Sequence, residues 1–367
     1  MTSQDNRTGQ AVKLAEATYM GAVVLDVRNL ANMTTFYHSV IGLDVLEEND
    51  GQVILGRSAK TLVKGQDPDR TQDPHGKSTP WLNRTGLASA LSPSPSSPSP
   101  SSASSPASSA ALPATPPKRA VSTAGTPLVG ELAVVVLREN RLLPLRAEGS
   151  AGLFHTAILF QNPRELAAAI IRIARHTPQL FTGTGDHHVS QAFYLDDPEG
   201  NGVELYIDRP RDHWQWRNNQ IHMTTEYIDP HSFIAENMPG VSEQAREGGN
   251  NITLGHVHLQ VGDVRTAHRF YVETLGFEAT ARMGNSALFV SAGGYHHHMA
   301  MNTWGSGGAG LRAPSLGLGR VDILVPDRSE TEAAAARLAH AGFNLRDDGR
   351  TIETNDPWGN LVRLTAE

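Results

Sequence analysis

The chain repeats itself, and that repeat limits its possible folds more than any other feature. Val23-Val24-Leu25-Asp26-Val27 is followed by Phe36-Tyr37 and then Ile41-Gly42-Leu43. Val257-His258-Leu259-Gln260-Val261 is followed in the same way by Phe270-Tyr271 and Leu275-Gly276-Phe277. Leu25 to Tyr37 and Leu259 to Tyr271 both span 12 positions, and Tyr37 to Gly42 and Tyr271 to Gly276 both span 5. The alternating apolar residues predict a strand, and the stretch after them an amphipathic helix stopped by a glycine. Two further copies show at their ends. Asp197-Pro198-Glu199-Gly200-Asn201 precedes Val203-Glu204-Leu205-Tyr206, and Asp356-Pro357-Trp358-Gly359-Asn360 precedes Leu361-Val362-Arg363-Leu364. Pro and Gly make the turn, and the alternation that follows makes a half-buried strand. Helices over about 164–176 and 329–341 complete these copies.

The pattern predicts an α+β chain of four strand–helix–strand–strand–strand units, with opening strands near Ala22, His155, His256 and Arg320. The expected layout is a disordered tail over 1–18, unit one over 19–146, unit two over 150–209, a connector over 210–251, unit three over 252–305 and unit four over 316–367. Unit one is interrupted. From 88 to 117 the chain is almost entirely Ser, Pro and Ala, a composition that cannot bury enough apolar surface to offset its ordering entropy. The region of about 59–125 therefore reads as a disordered insertion between a third strand at Val53-Ile54-Leu55-Gly56 and a fourth within 127–137. A long loop is tolerated there because closure entropy grows slowly with length.

Composition narrows the chemistry. There is no cysteine, which excludes a disulfide framework, a thiol nucleophile and a Cys-ligated metal. Any metal must be held by carboxylates or by some of the 16 histidines. The net charge of -7, without a basic patch, argues against nucleic acid as a partner. No apolar run approaches the ~20 residues needed to span a membrane, and the polar N-terminus does not read as a signal peptide. The expectation is a soluble, cytoplasmic protein.

Laying the four units over one another aligns Ala22, His155, His256 and Arg320 at the start of the opening strand. The aligned position in the last strand is Glu204 in unit two, His298 or a neighbour in unit three, and Arg363 in unit four; unit one gives no clear equivalent. Side chains able to bind a metal fall in units two and three, so those units are expected to face one another around a site, with one and four as a site-less mate. His155, His256 and Glu204 would form a two-His-one-carboxylate face that leaves positions open, which suits non-haem Fe(II), with Mn(II) a neighbour. Zinc would favour four ligands.

The segment before Glu204 is more specific. It reads Gly185-Asp186-His187, five residues, Phe193-Tyr194, two residues, Asp197-Pro198-Glu199-Gly200, three residues, Glu204. This resembles the signature of type I extradiol ring-cleavage dioxygenases of the vicinal-oxygen-chelate superfamily, whose βαβββ modules match the four-unit parse. Within it, the chain resembles the bacterial two-domain catechol-2,3-dioxygenase group, as do Gly293-Gly294-Tyr295-His296-His297-His298 and Asn302-Thr303-Trp304. The resemblance implies two pseudo-symmetric curved mixed sheets. It makes Glu204, His155 and His256 the metal ligands, His187 an acid/base residue and Tyr194 a hydrogen-bonding partner of the substrate oxygens. Bound diol must lose one proton, and a proton must later be returned for O–O cleavage, so a second histidine is useful. The run His296-His297-His298 supplies it. Strand alternation would put His297 opposite His296 and His298; the repeat favours His298 and the relatives' strand favours His297, so both stay open. In the best-known relatives the ligands come from modules three and four, whereas here they fall in two and three.

The implied activity is Fe(II)-dependent (or Mn(II)-dependent) cleavage of a catechol-like aromatic substrate with O2. A glyoxalase-like isomerase or thiol transferase, and a non-catalytic binding protein, are the alternatives on the same modules. Neither a membrane nor a nucleic-acid partner is expected, and a homo-oligomer is left open. The aromatics from Trp214 to Trp216 read as packing between modules, and His38, His222, His231, His268 and His340 as surface or packing residues.

Overall fold

The computed structural model describes residues 13–58, 132–238 and 252–367. The expected disordered insertion lies outside these residues, as does the tail up to residue 12. Residues 13–18, expected as tail, instead pack. Leu14 is buried and its N–H donates to the Gly276 carbonyl at 2.8 Å, because it covers the end of the helix that Gly276 terminates.

Four copies of one module build the fold. The first has β1 (Tyr19–Val27), a helix, then β2 (Asp44–Asn49), β3 (Gln52–Arg57) and β4 (Leu132–Glu139). The second has β5 (Gly152–Phe160), helix Pro163–His176, β6 (Phe181–Asp186), β7 (Ser190–Asp196) and β8 (Gly202–Asp208). A short hairpin of β9 (Trp216–Arg217) and β10 (Gln220–Ile221) follows. The third has β11 (Ile252–Gln260), β12 (Glu278–Met283), β13 (Ala287–Ser291) and β14 (Met299–Asn302). The fourth has β15 (Gly317–Val325), helix Arg328–His340, β16 (Leu345–Asp347), β17 (Thr351–Asn355) and β18 (Leu361–Ala366). In each, the helix carries the chain across to the far strand, and a meander returns it parallel to the opening strand.

The modules pair as two curved eight-stranded mixed sheets, the expected fold class. One runs β16-β17-β18-β15-β1-β4-β3-β2 and joins modules one and four. The other runs β12-β13-β14-β11-β5-β8-β7-β6 and joins modules two and three. At each seam the opening strands meet antiparallel. In module one β3 pairs antiparallel with β4, Arg57 opposite Leu132.

The repeated landmarks bind modules that follow one another in sequence. The Phe-Tyr pairs lie in π-helical turns, Phe36–Ile41 and Arg269–Thr274, each ending near a glycine of positive φ, Gly42 and Gly276. Tyr37 Oη donates to Asp197 Oδ2 at 3.2 Å, and Tyr271 Oη to Asp356 Oδ2 at 3.1 Å. Arg172 donates to the carbonyls of Val40 and Ile41, and Arg337 to those of Thr274 and Leu275. A guanidinium thus satisfies carbonyls that a helix end leaves without partners. The Tyr and the Asp-Pro turn are therefore two halves of one contact, made twice.

Candidate metal centre

The seam between β5 and β11 sets the site. His258 lies opposite His155, and His256 opposite Ala157. On the next strands Glu204 pairs with Ala157, and Tyr194 with Glu204. One row across the sheet is then Tyr194, Glu204, Ala157, His256, and its neighbour is Gly202, His155, His258, Ala300. Period-two alternation keeps both rows on one face, and the small residues in them leave room for three imidazoles and a carboxylate.

His155 Nε2 lies 3.0 Å and His256 Nε2 3.2 Å from Glu204 Oε2, and the two nitrogens are 3.3 Å apart. All three side chains are buried. Burial pushes the Glu204 carboxyl up, but the two imidazoles outweigh it and hold it well below its usual range. Burial pushes His256 down to about 4, against the opposing pull of Glu204. Near neutral pH the set is therefore a carboxylate and a neutral His256, with His155 alongside. Such a set fits a divalent cation. Ligands at right angles about a metal, each ~2.1 Å away, stand ~3.0 Å apart, and tetrahedral ones ~3.4 Å. The observed 3.0–3.3 Å falls between these two edges, so the three ligand atoms are spaced to hold one divalent cation together.

The three residues border a cavity of about 790 Å³, lined also by His187, Tyr194, His258 and His297. His187 Nδ1 is 2.6 Å from the Thr224 carbonyl and its Nε2 2.6 Å from Tyr194 Oη. A carbonyl only accepts, so Nδ1 carries the proton and Nε2 accepts from the tyrosine. Burial, reinforced by Glu204, holds the Tyr194 phenol well above its ordinary value, so it stays protonated.

The histidine run is not strand. It lies in the turn before β14, so the expected strand alternation does not apply, and the His296 and His297 Nδ1 atoms sit 2.7 Å apart. His296 Nε2 reaches Asp208 Oδ1 at 2.9 Å. Asp208 only accepts, so His296 Nε2 carries a proton, and the His296 and His297 Nδ1 atoms share one hydrogen bond. His297 packs on His256, ring centroids 4.1 Å apart, and burial pushes its pKa well down. His298 does not border the cavity. Its Nδ1 accepts from the Ala292 N–H at 3.2 Å, and burial pushes its pKa down to about 3.

The register also corrects the aligned last-strand positions. Val136 is the module-one counterpart of Glu204, and Ala300 rather than His298 that of module three. In the sheet of modules one and four, that face holds an apolar cluster of Ala22, Val24, Ile54 and Val136. Beside it Arg320 and Arg363 both pair with Asp322. In the connector Trp214 packs, but Trp216 is 46% exposed, because the tight turn at Asn218 and Asn219, both at positive φ, swings β9 outward. His222 borders the cavity rather than only the surface, and so does His258. The alternation His256-x-His258 already put His258 on the ligand face.

The sequence matches the Glyoxalase/Bleomycin resistance protein/Dioxygenase superfamily over residues 19–205 and 253–364. The chain belongs to this superfamily. A superfamily relative, the catechol-2,3-dioxygenase of Bacillus subtilis (strain 168), is 38% identical over 236 residues, covering 62% of this chain and 80% of the relative. A solved structure of a provisionally named dioxygenase from Bacillus subtilis subsp. subtilis str. 168 superposes with a TM-score of 0.53 at 10% identity. It covers 97% of this chain and 86% of its own, a likeness of fold alone. Among the described residues no helix is long and apolar enough to cross a membrane.

Proposed function

We propose that the protein is a metal-dependent extradiol dioxygenase that cleaves a catechol-type aromatic diol with O2 beside its hydroxyls. His155, His256 and Glu204 would hold the metal, with Fe(II) expected and Mn(II) the neighbour. The observation that carries this reading is the His187–Tyr194 pair set beside the three buried ligands in one cavity. The 38% identical relative, named for the same chemistry, supports it. An isomerase or a thiol transferase would need the chelating face but not that pair.

When bound, the metal would bring the diol oxygens and O2 together and pass electron density between them. The chain's own residues would handle protons. Tyr194 Oη accepts a hydrogen bond from a diol hydroxyl while its own proton leans toward His187 Nε2. A diol proton can therefore leave through Tyr194 to His187, with the Thr224 carbonyl holding the imidazole in the receptive tautomer. On the other flank His297, hydrogen-bonded to His296 and through it to Asp208, would take the diol's second proton and return it as the O–O bond breaks. Buried Phe289 and part-buried Phe154 give an aromatic ring apolar walls.

The test loads anaerobic protein with Fe(II), adds catechols and admits oxygen. A yellow ring-opened product with stoichiometric oxygen uptake, abolished in Glu204→Ala, is expected. Protein that binds no divalent metal, or activity that survives Glu204→Ala, would overturn the proposal.

A further inference from the structure

His258 has no part in the proton handling above, yet it is fixed with unusual completeness. It lies opposite His155 on the ligand face, 3% exposed, with its ring centroid 4.9 Å from those of both His155 and Phe154. Its Nε2 is 2.9 Å from Asn302 Nδ2. The orientation of that amide is settled independently. Trp304 N–H, which can only donate, points at Asn302 Oδ1 from 3.0 Å, so the NH2 end must face His258. An amide NH2 also only donates. His258 Nε2 must then offer its lone pair, and the neutral ring carries its proton on Nδ1. Asn302 is fully buried, so water does not compete for either bond.

His258 Nδ1 has no protein partner among the described residues, and unlike His256 Nδ1 it is not a sealed orphan. The ring borders the cavity. Trp304 and Phe289 flank it, with centroids 5.6 Å and 5.9 Å away. The cavity thus meets, at this point, one N–H in a largely aromatic wall.

We infer that His258 is a donor-only positioning residue, locked by Asn302, whose Nδ1–H binds an anionic oxygen of the ring substrate. This rests on the diol-cleavage reading, and it adds a discrimination that reading lacks. His155 stands between Tyr194 and His258, with ring centroids 5.8 Å and 4.9 Å away, so the two groups address the substrate from opposite flanks. Tyr194 and His187 can take a proton; His258 cannot, because its only lone pair is occupied. The site therefore favours the monoanion left once a diol proton has passed through Tyr194 to His187, held with its anionic oxygen turned to the His258 side. A diol ether lacking that charge is disfavoured.

Two measurements decide it. Nitrogen-15 NMR of histidine-labelled protein, with the His258 signal assigned by its loss in His258→Phe, should show the Nδ1–H tautomer. In Asn302→Leu that signal should move toward the commoner Nε2–H form. Separately, anaerobic titration of the Fe(II)-loaded protein with 4-nitrocatechol, whose visible band reports ionisation, should give ~10- to 100-fold weaker binding in His258→Phe. His258→Gln, which keeps an N–H, should recover part of that loss. An Nε2–H tautomer in the wild type, or unchanged nitrocatechol affinity in a folded His258→Phe, would overturn the inference. If the wild-type protein binds no nitrocatechol at all, the diol reading itself falls, which the tautomer measurement alone would not reveal.

Discussion

Gly255, the residue before His256, is where the site and the stability of the sheet meet. A Cβ built there would lie 1.7 Å from Tyr206 Oη and 2.6 Å from its Cζ. Ordinary contacts begin near 3.4 Å, so in Gly255→Ala the tyrosine hydroxyl must retreat by about 1.7 Å. It has nowhere free to go. Tyr206 is fully buried, its hydroxyl is 2.7 Å from Tyr295 Oη, and its ring centroid is 5.1 Å from that of His256. Overpacking costs about 1–3 kcal/mol, and a broken buried hydroxyl pair about 1–3 kcal/mol more. Urea unfolding should therefore show Gly255→Ala less stable by roughly 2–6 kcal/mol at an unchanged m-value. Calorimetric titration should show divalent-metal affinity down at least ~10-fold, because the displaced ring leans on His256. Gly183→Ala is the control: its Cβ meets nothing within 4 Å, so it should stay within about 0.5 kcal/mol of wild type. If Gly255→Ala matches that control in stability, the packing account of this strand is wrong.

Tyr37→Phe and Tyr271→Phe should each lose about 1–3 kcal/mol, since each leaves a buried aspartate short of a partner; equal behaviour of the pair in urea would show the pseudo-symmetry in energy. Burial lowers the folded-state pKa of His256 to about 4 and of His298 to about 3, and that of His258 and His297 well down. Above the unfolded value of ~6.5 these rings are neutral in both states and leave stability unchanged; as pH falls below it the unfolded chain binds protons first. Metal-free protein should thus lose stability steadily from about pH 6.5 to 4, with roughly 3 kcal/mol from His256 alone, and a flat melting profile over that range would refute the burial of these rings. Since Arg57 pairs with Leu132, replacing residues 58–131 by a two-residue Asn-Gly turn should keep the circular dichroism spectrum and metal affinity of the full chain.

Much of the architecture was legible because it is periodic. The two Tyr-to-Gly spacings and the two Asp-Pro turns located the modules, and the helix expected at 164–176 is found as Pro163–His176. What pattern alone could not supply was register. Whether Glu204 falls beside Ala157, and whether module three's equivalent is His298 or Ala300, depends on pairing between strands far apart in sequence, where one residue of slip exchanges the faces. The run His296–His298 misled for a related reason: an assumption of strand geometry failed in a segment that is a turn. His258 is visible in the alternation His256-x-His258, but the repeat aligns it with Val24 rather than with the ligands, so the spacing of landmarks gives it no role. The cavity-lining part of the connector, Arg217 to Thr225, carries no periodic signal, since its position follows from a tight turn and a bridge between Asp186 and Glu226.

The seam between modules one and four has a consequence for biosynthesis. Tyr19 pairs with Leu324, so the partner of the first strand leaves the ribosome about 305 residues after it. At ~5–20 residues per second that is a delay of roughly 15–60 s. The sheet carrying the ligand histidines needs only residues up to Asn302 and can close first. β4 can cover one side of β1 early, but throughout that interval the other side of β1, buried along nearly its whole length in the finished protein, is an open apolar edge. The nascent chain would therefore own a nearly complete metal site while its opening strand is still exposed to chaperones, and to copies of itself.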